Sequence, residues 1–300
     1  MTSQQVNIFG VAFLGPESPV MTSVNGEITA AKDDSGKFVS FAIANAALED
    51  YAEFLTKFDI KILSISNNSN EITVADFEKI NTSNIERLYL NLQSTDVLKI
   101  QNDTNFENLR EISVRDGFPV GMPSQEKFPY LNKITIEFSD AFDISWLQKF
   151  SKIADLIIYN YSKENLEPLI SLRELKRLCL VQGSIKNLDG IDEFPSLEIV
   201  HIVACNKLQN ALAIAKSKSI AHIMFEKFKK ITDWDFLSQN TDIKTIWLEV
   251  ADDVKFIRRL PKLVYFKCLK IINKDLSPVE ELGFSKLPHR ASVFYSPIDS

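Results

Sequence analysis

One pattern, apolar-x-x-apolar-x-apolar, returns along most of this 300-residue chain at nearly constant spacing. It begins at Ile60 (IKILSI), Ile85 (IERLYL), Leu109 (LREISV), Leu131 (LNKITI) and Ile153 (IADLII). It continues at Leu175 (LKRLCL), Leu197 (LEIVHI), Ile220 (IAHIMF), Ile243 (IKTIWL) and Leu263 (LVYFKC). The intervals are 25, 24, 22, 22, 22, 22, 23, 23 and 20 residues, and a weaker copy starts at Phe38 (FVSFAI), 22 residues before Ile60. A chain with 45% apolar residues does not reach such regularity by chance, and a fixed period decides the architecture before any single element is assigned. A unit this short cannot bury its own apolar side. Units must stack, with the first, fourth and sixth positions of each motif meeting the same positions of its neighbours.

The alternation at positions four to six fits a short strand, whose side chains point to opposite faces in turn. The links between strands carry helical signals. Thr73–Asp76 (TVAD) and Thr232–Asp235 (TDWD) read as capping arrangements ahead of short helices. Ser145–Lys152, Ala211–Ser217 and Asp252–Leu260 read as helices of one or two turns. Pro129, Pro195 and Pro261 each stand two residues before a motif, where they stop a helix from entering the next strand.

These units resemble leucine-rich repeats, whose strand segment reads LxxLxLxxN/C with a period of 20–29 residues. The resemblance covers roughly residues 38–270. Asn68 and Cys205 fill the ninth position in two copies, and FKKITDWDFL after Ile220 is similar to the cysteine-type variant. Position nine is Gln93, Gly117, Ser139, Tyr161, Gly183, Phe228, Ala251 and Ile271 elsewhere, so an uninterrupted asparagine ladder is absent. The resemblance implies an α/β solenoid, a horseshoe with a parallel sheet on the concave side and short helices on the convex side. Residues 1–59 are expected to form a β-hairpin and helix cap with a degenerate first repeat. About ten repeats follow over 60–273, then a C-terminal cap or tail over 274–300. Val6–Leu14, Pro19–Val24 and Glu27–Ala31 read as hairpin strands and Ala46–Lys57 as an amphipathic helix.

Composition narrows the function classes. Lys plus Arg is 34 and Asp plus Glu is 40, a net charge of −6, which argues against wholesale phosphate binding. No run approaches the roughly 18 apolar residues needed to span a bilayer. The opening MTSQQVNIFGVAFLG lacks the basic segment of a signal peptide, so a cytoplasmic protein is expected. The 3 cysteines are too few for a disulfide framework. Phosphate-loop, dinucleotide, zinc-protease and nucleophile-elbow motifs are all missing, so neither catalysis nor a cofactor is expected.

The repeat register sorts the remaining strand residues onto one face. From the fifth unit onward that face turns apolar and aromatic. Ile157, Tyr159, Cys179, Val181, Ile199, His201, Val203, Met224 and Trp247 fall on adjacent strands about 4.8 Å apart. Arg115, Glu137, Arg177, Glu226 and Glu249 surround them, with Arg87, Glu111 and Asp155 farther along. An apolar patch of this composition marks a protein-binding surface. The reading is thus a non-catalytic interaction module with a protein partner, in an adaptor, inhibitor or immunity-type role. No nucleic acid or membrane partner is expected, and the oligomeric state stays open.

Two other readings compete. Cys179 and His201 hold the same position in neighbouring units, with His222 diagonal to them, so a thiolate–imidazole nucleophile or a metal site is conceivable. Against it, a flat strand surface offers no enclosed pocket, and the sequence places no orienting carboxylate beside His201. Arg87, Arg110, Arg115, Lys133, Lys176 and Arg177 form a modest basic group on the first half, which neighbouring acids offset. Cys268 falls at an inward position and reads as core.

Overall fold

The computed structural model describes residues 22–24, 28–32, 35–44, 52–66, 74–77, 80–91, 97–99, 106–115, 125–138 and 144–283. Stacked strands dominate it. The antiparallel pair β1 (Thr22–Val24) and β2 (Ile28–Lys32) leads into β3 (Phe38–Ala44), and α1 (Ala52–Lys57) follows. Then come β4 (Ile62–Ser66), β5 (Val74–Asp76), β6 (Arg87–Asn91), β7 (Val97–Lys99), β8 (Glu111–Arg115) and β9 (Lys133–Glu137). The chain continues through β10 (Asp155–Tyr159), β11 (Arg177–Val181), β12 (Ile199–Val203) and β13 (His222–Glu226). It closes with β14 (Thr245–Ala251), β15 (Tyr265–Ile271) and α2 (Ser277–Glu281).

From β3 onward the main sheet is parallel, in the order β3-β4-β6-β8-β9-β10-β11-β12-β13-β14-β15, with β2 and β1 added antiparallel at its first edge. The pairing register is that of the repeat. Ser40, Ile62, Arg87, Glu111, Lys133, Asp155, Arg177, Ile199, His222, Thr245 and Tyr265, each at position three, lie side by side. The degenerate copy at Phe38 therefore forms a true parallel strand.

Positions one, four and six are buried in the nine units from Ile60 to Ile243, as Leu175, Leu178 and Leu180 illustrate at 0% exposure. In the last unit Leu263, Phe266 and Cys268 are only half-buried, because β15 is the edge strand of the sheet among the described residues. A further inward column stands three residues before each motif from Ile85 onward. Phe106, Phe128, Phe150, Leu172, Phe194 and Leu260 are buried there, and the rings of Phe106 and Phe128 sit 5.2 Å apart. Its polar members, Thr82, Ser217 and Asn240, are buried too, and Asn240 donates its side-chain amide to Ile220 O.

The convex links in the second half are 3-10 helices: Ile144–Lys149, Glu167–Leu169, Ile191–Glu193, Leu212–Lys216, Asp235–Gln239 and Lys255–Arg259. Pro195 and Pro261 follow two of them by two residues, as the sequence predicts. Two expectations are corrected here. Val74–Asp76 is not a helix start but strand β5, paired in parallel with β7 in a second two-stranded sheet. Before Asp235 the capping acceptor is Asp233, whose Oδ1 takes the Asp235 N–H, while the Thr232 hydroxyl donates to Asp252. This side-chain turn recurs at Asn165, Asn187, Asn210 and Asp253, each accepting the N–H two residues on. An Asn or Asp carbonyl oxygen imitates a backbone acceptor in that geometry, so it starts the convex segment once per repeat.

Of the expected N-terminal cap, the strand pair and Ala52–Lys57 are seen; Val6–Leu14, residues 46–51 and residues 284–300 lie outside the described residues.

Candidate partner-binding face

Position eight turns β10, β11, β12 and β13 away from the sheet. Asn160, Gln182, Ala204 and Lys227 take positive φ of 57°, 57°, 54° and 53°, a left-handed conformation costing roughly 1–2 kcal/mol for a side chain with a Cβ. Each of the first three donates its N–H to the carbonyl ending the next strand, at 2.8–2.9 Å. The turns repeat in step, so positions three, five and seven stay aligned on one side of the sheet.

All nine apolar or aromatic candidates lie on that side, half-buried against their neighbours. Position five runs Ile157, Cys179, His201, Met224 and Trp247 on directly paired residues. Position seven runs Tyr159, Val181 and Val203, then Glu226. Ile199 at position three pairs with Arg177 on one side and His222 on the other. The patch ends at Lys267, whose ammonium stands 4.1 Å from the centre of the Trp247 ring. The Trp247 indole N–H is buried with no acceptor among the described residues. Burial pushes the Tyr159 hydroxyl up to about 12, so the ring meets the surface as a neutral phenol.

Each charge assigned to the surround is engaged within the molecule. Arg177 grips Asp155 through two hydrogen bonds of 2.8 and 2.6 Å. Arg115 pairs with Glu137 at 3.2 Å, and Glu137 also accepts from the Asn160 side chain. Glu111 lies between Arg87 and Lys133, at 3.8 and 3.0 Å. Glu249 accepts the Lys227 backbone N–H at 3.2 Å. These ladders follow from the register, which sets side chains at equal positions about 5 Å apart. Exposed pairs of this kind contribute about 0–1 kcal/mol each.

His201 corrects one expectation. Its Nε2 lies 2.9 Å from Glu226 Oε1, so a carboxylate does stand beside it, reached diagonally from position five of one strand to position seven of the next. Cys179, His201 and Glu226 thereby follow one another as thiol, imidazole and carboxylate. The thiol is unsuited to attack. Burial pushes Cys179 up to about 12, against the offsetting pull of Arg177, so it stays protonated at neutral pH. His222 takes a different partner, Thr245 Oγ1 at 2.9 Å, and burial followed by the Lys244 charge lowers its pKa. Among the described residues no group of three or more His, Cys, Asp and Glu side chains is placed to hold a metal ion. Cys205 is a core residue whose sulfur accepts the Gly183 N–H at 3.3 Å. No helix among the described residues is long and apolar enough to cross a membrane.

No protein-family model and no curated protein matches this sequence. Among solved structures, the chain is similar to an internalin (InlF) from Listeria monocytogenes at 13% identity, over 81% of this chain and 84% of that one, with a TM-score of 0.44. It is similar to the functional domain of InlJ from the same organism, described as including a cysteine ladder. There the identity is 13%, the shares covered are 82% and 55%, and the TM-score is 0.48. The leucine-rich-repeat domain of the type III effector XopL stands at 15% identity, 77% and 76% coverage and a TM-score of 0.39. Such distant likenesses carry no functional argument. The chain's own architecture is decisive for the fold: parallel strands laid in register once every 20–25 residues, with three inward positions per strand, make it a leucine-rich-repeat solenoid.

Proposed function

We propose that this chain is a protein-binding module that holds its partner on the concave face between β10 and β14. One observation supports this most: Ile157, Tyr159, Val181, Val203, Met224 and Trp247 lie side by side on paired strands, outside the core that positions one, four and six already fill. A stiff sheet loses little freedom on association, so side chains held this way convert burial into affinity efficiently. Trp247 and Tyr159, at opposite ends of the patch, are the side-chain types that most often dominate interface energetics. Adaptor, inhibitor and immunity-type roles all fit this reading, and so does a cytoplasmic setting. With the Cys179 thiol held protonated, the enzyme alternative has little support.

The test is affinity for a partner captured on the immobilised chain and then purified. The double variant Tyr159→Ala/Trp247→Ala is expected to weaken binding at least about a hundredfold, since two hot spots each contribute about 2 kcal/mol or more. Val203→Glu, which sets a charge at the centre of the patch, serves as a second variant. Urea midpoints report whether each variant remains folded. Unchanged affinity in both folded variants would remove the concave face from the account.

A further inference from the structure

The charges of the strand register are engaged within the sheet, Glu226 by His201 and Glu249 by the Lys227 backbone N–H, and a group of cations stands beyond the strand ends. They are lysines, on the two turns that leave β12 and β13. Lys207, Lys227, Lys229 and Lys230 are exposed, and among the described residues none has an ion-pair partner. The acidic pair on the turn that leaves β14 is engaged elsewhere. Asp252 receives the Thr232 hydroxyl, and Asp253 is engaged by Lys255 through its backbone N–H and its ammonium. These turns begin just past Val203 and Glu226, the position-seven residues of β12 and β13, and Lys227 directly follows Glu226. The imbalance is regional. Residues 207–283 carry 14 Lys and Arg against 10 Asp and Glu, a net +4 within a chain of −6.

We infer that the segment held on this face is acidic: an apolar, carboxylate-bearing stretch of a protein partner. Its apolar side chains rest on Tyr159, Val181 and Val203, and its carboxylates meet Lys207, Lys227, Lys229 and Lys230. Complementary charge at the edge of an apolar patch fixes orientation and speeds encounter. A nucleic acid fits less well. The four cations include no arginine and span only two turns. A polyphosphate would also leave the apolar column empty. This inference rests on the concave-face reading above.

The experiment uses the full chain and three labelled probes followed by fluorescence anisotropy. They are a peptide alternating leucine with glutamate, the same peptide with lysine for glutamate, and an oligouridylate. The glutamate peptide is expected to bind tightest, and to weaken several-fold between about 50 and about 200 mM salt as screening sets in. Lys207→Glu/Lys230→Glu is expected to weaken it about tenfold or more. Lys216→Glu/Lys218→Glu, on the turn that precedes β13, is expected to leave it unchanged. Equal or tighter binding of the lysine peptide or the oligouridylate overturns the inference. So does indifference to the Lys207/Lys230 reversal, or no binding of the glutamate peptide below about 1 mM, a weak-affinity ceiling. Loss in the lysine variant with no effect of Tyr159→Ala/Trp247→Ala would keep the acidic ligand and remove the apolar-face reading. The reverse pattern would keep the face and remove the acidic ligand.

Discussion

Ile158→Ala is expected to destabilise the protein by about 3–4 kcal/mol, and Ile157→Ala by about 1 kcal/mol or less. The two residues are neighbours in β10 with identical side chains, so local propensity cancels between them. Only their direction differs. Ile158 is at position six and 0% exposed, between Ile136 and Leu180 of the adjoining strands, both in the same core. Truncation there opens a cavity that the stacked units on either side cannot close. Ile157 is at position five, half-buried on the concave face, where truncation leaves a dent that water can enter. Urea unfolding followed by circular dichroism measures both changes. Equal losses would mean that the two faces of the sheet are equally covered, and the concave patch would then lie under other parts of the molecule.

Gly190→Ala is expected to be nearly as costly, about 2–4 kcal/mol, from two sources that can be separated. Gly190 has φ of +91°, a conformation that any residue with a Cβ adopts only at a cost of roughly 1–2 kcal/mol. A Cβ at this position would also lie 3.0 Å from Glu167 N and 3.2 Å from Leu166 C. Both are backbone atoms of the preceding repeat, so a flexible side chain cannot swing aside. Gly36 is the control. Its φ is +80°, yet nothing lies within 4 Å of a Cβ built there. Gly36→Ala therefore reports the conformational part alone, about 1–2 kcal/mol. The difference between the two variants, read from the same unfolding curves, measures how closely one convex turn is seated on the next. A loss at Gly190 no larger than at Gly36 would show that the stack is looser than described.

Most of the fold is legible in the sequence because the repeat is apolar and short. Positions one, four and six cannot be satisfied by one unit, so spacing alone specifies which residues meet, down to the pairing of Cys179 with His201. Even the degenerate copy at Phe38 obeys this. What spacing hides is chemistry that does not use the apolar motif. The column through Phe106, Phe128 and Phe150 is available three residues before each motif from Ile85 onward, but its polar members Thr82, Ser217 and Asn240 interrupt it as a pattern. The recurring Asn and Asp turns depend on a side-chain oxygen accepting an N–H two residues on, which composition registers only as an Asn-rich chain. β5 took a strand where Thr73–Asp76 suggested a cap, because its pairing with β7 outweighs a local capping signal.

The binding face was legible as a set of residues but not as an electrostatic surface. Register places Arg177 opposite Ile199 and adjacent to Asp155, yet whether an arginine turns outward or grips its neighbour is decided by side-chain geometry. Glu226 reaches His201 on the diagonal, a contact that a comparison of equal positions overlooks. The lysines on the turns lie outside the strand motif altogether. A rule that sorts only strand positions therefore finds the paired charges and misses the available ones.

The claim beneath all of this is that the strands lie side by side in a single register. Two spin labels on position five test it directly. Ser113→Cys and Met224→Cys, in a background of Cys179→Ser, Cys205→Ala and Cys268→Ser, stand five strand steps apart, from β8 to β13. At about 4.8 Å per step the account predicts one narrow distance of about 20–30 Å with the label arms included. A distance beyond about 40 Å, or a broad distribution, would contradict the stacked sheet and with it every residue assigned to the concave face.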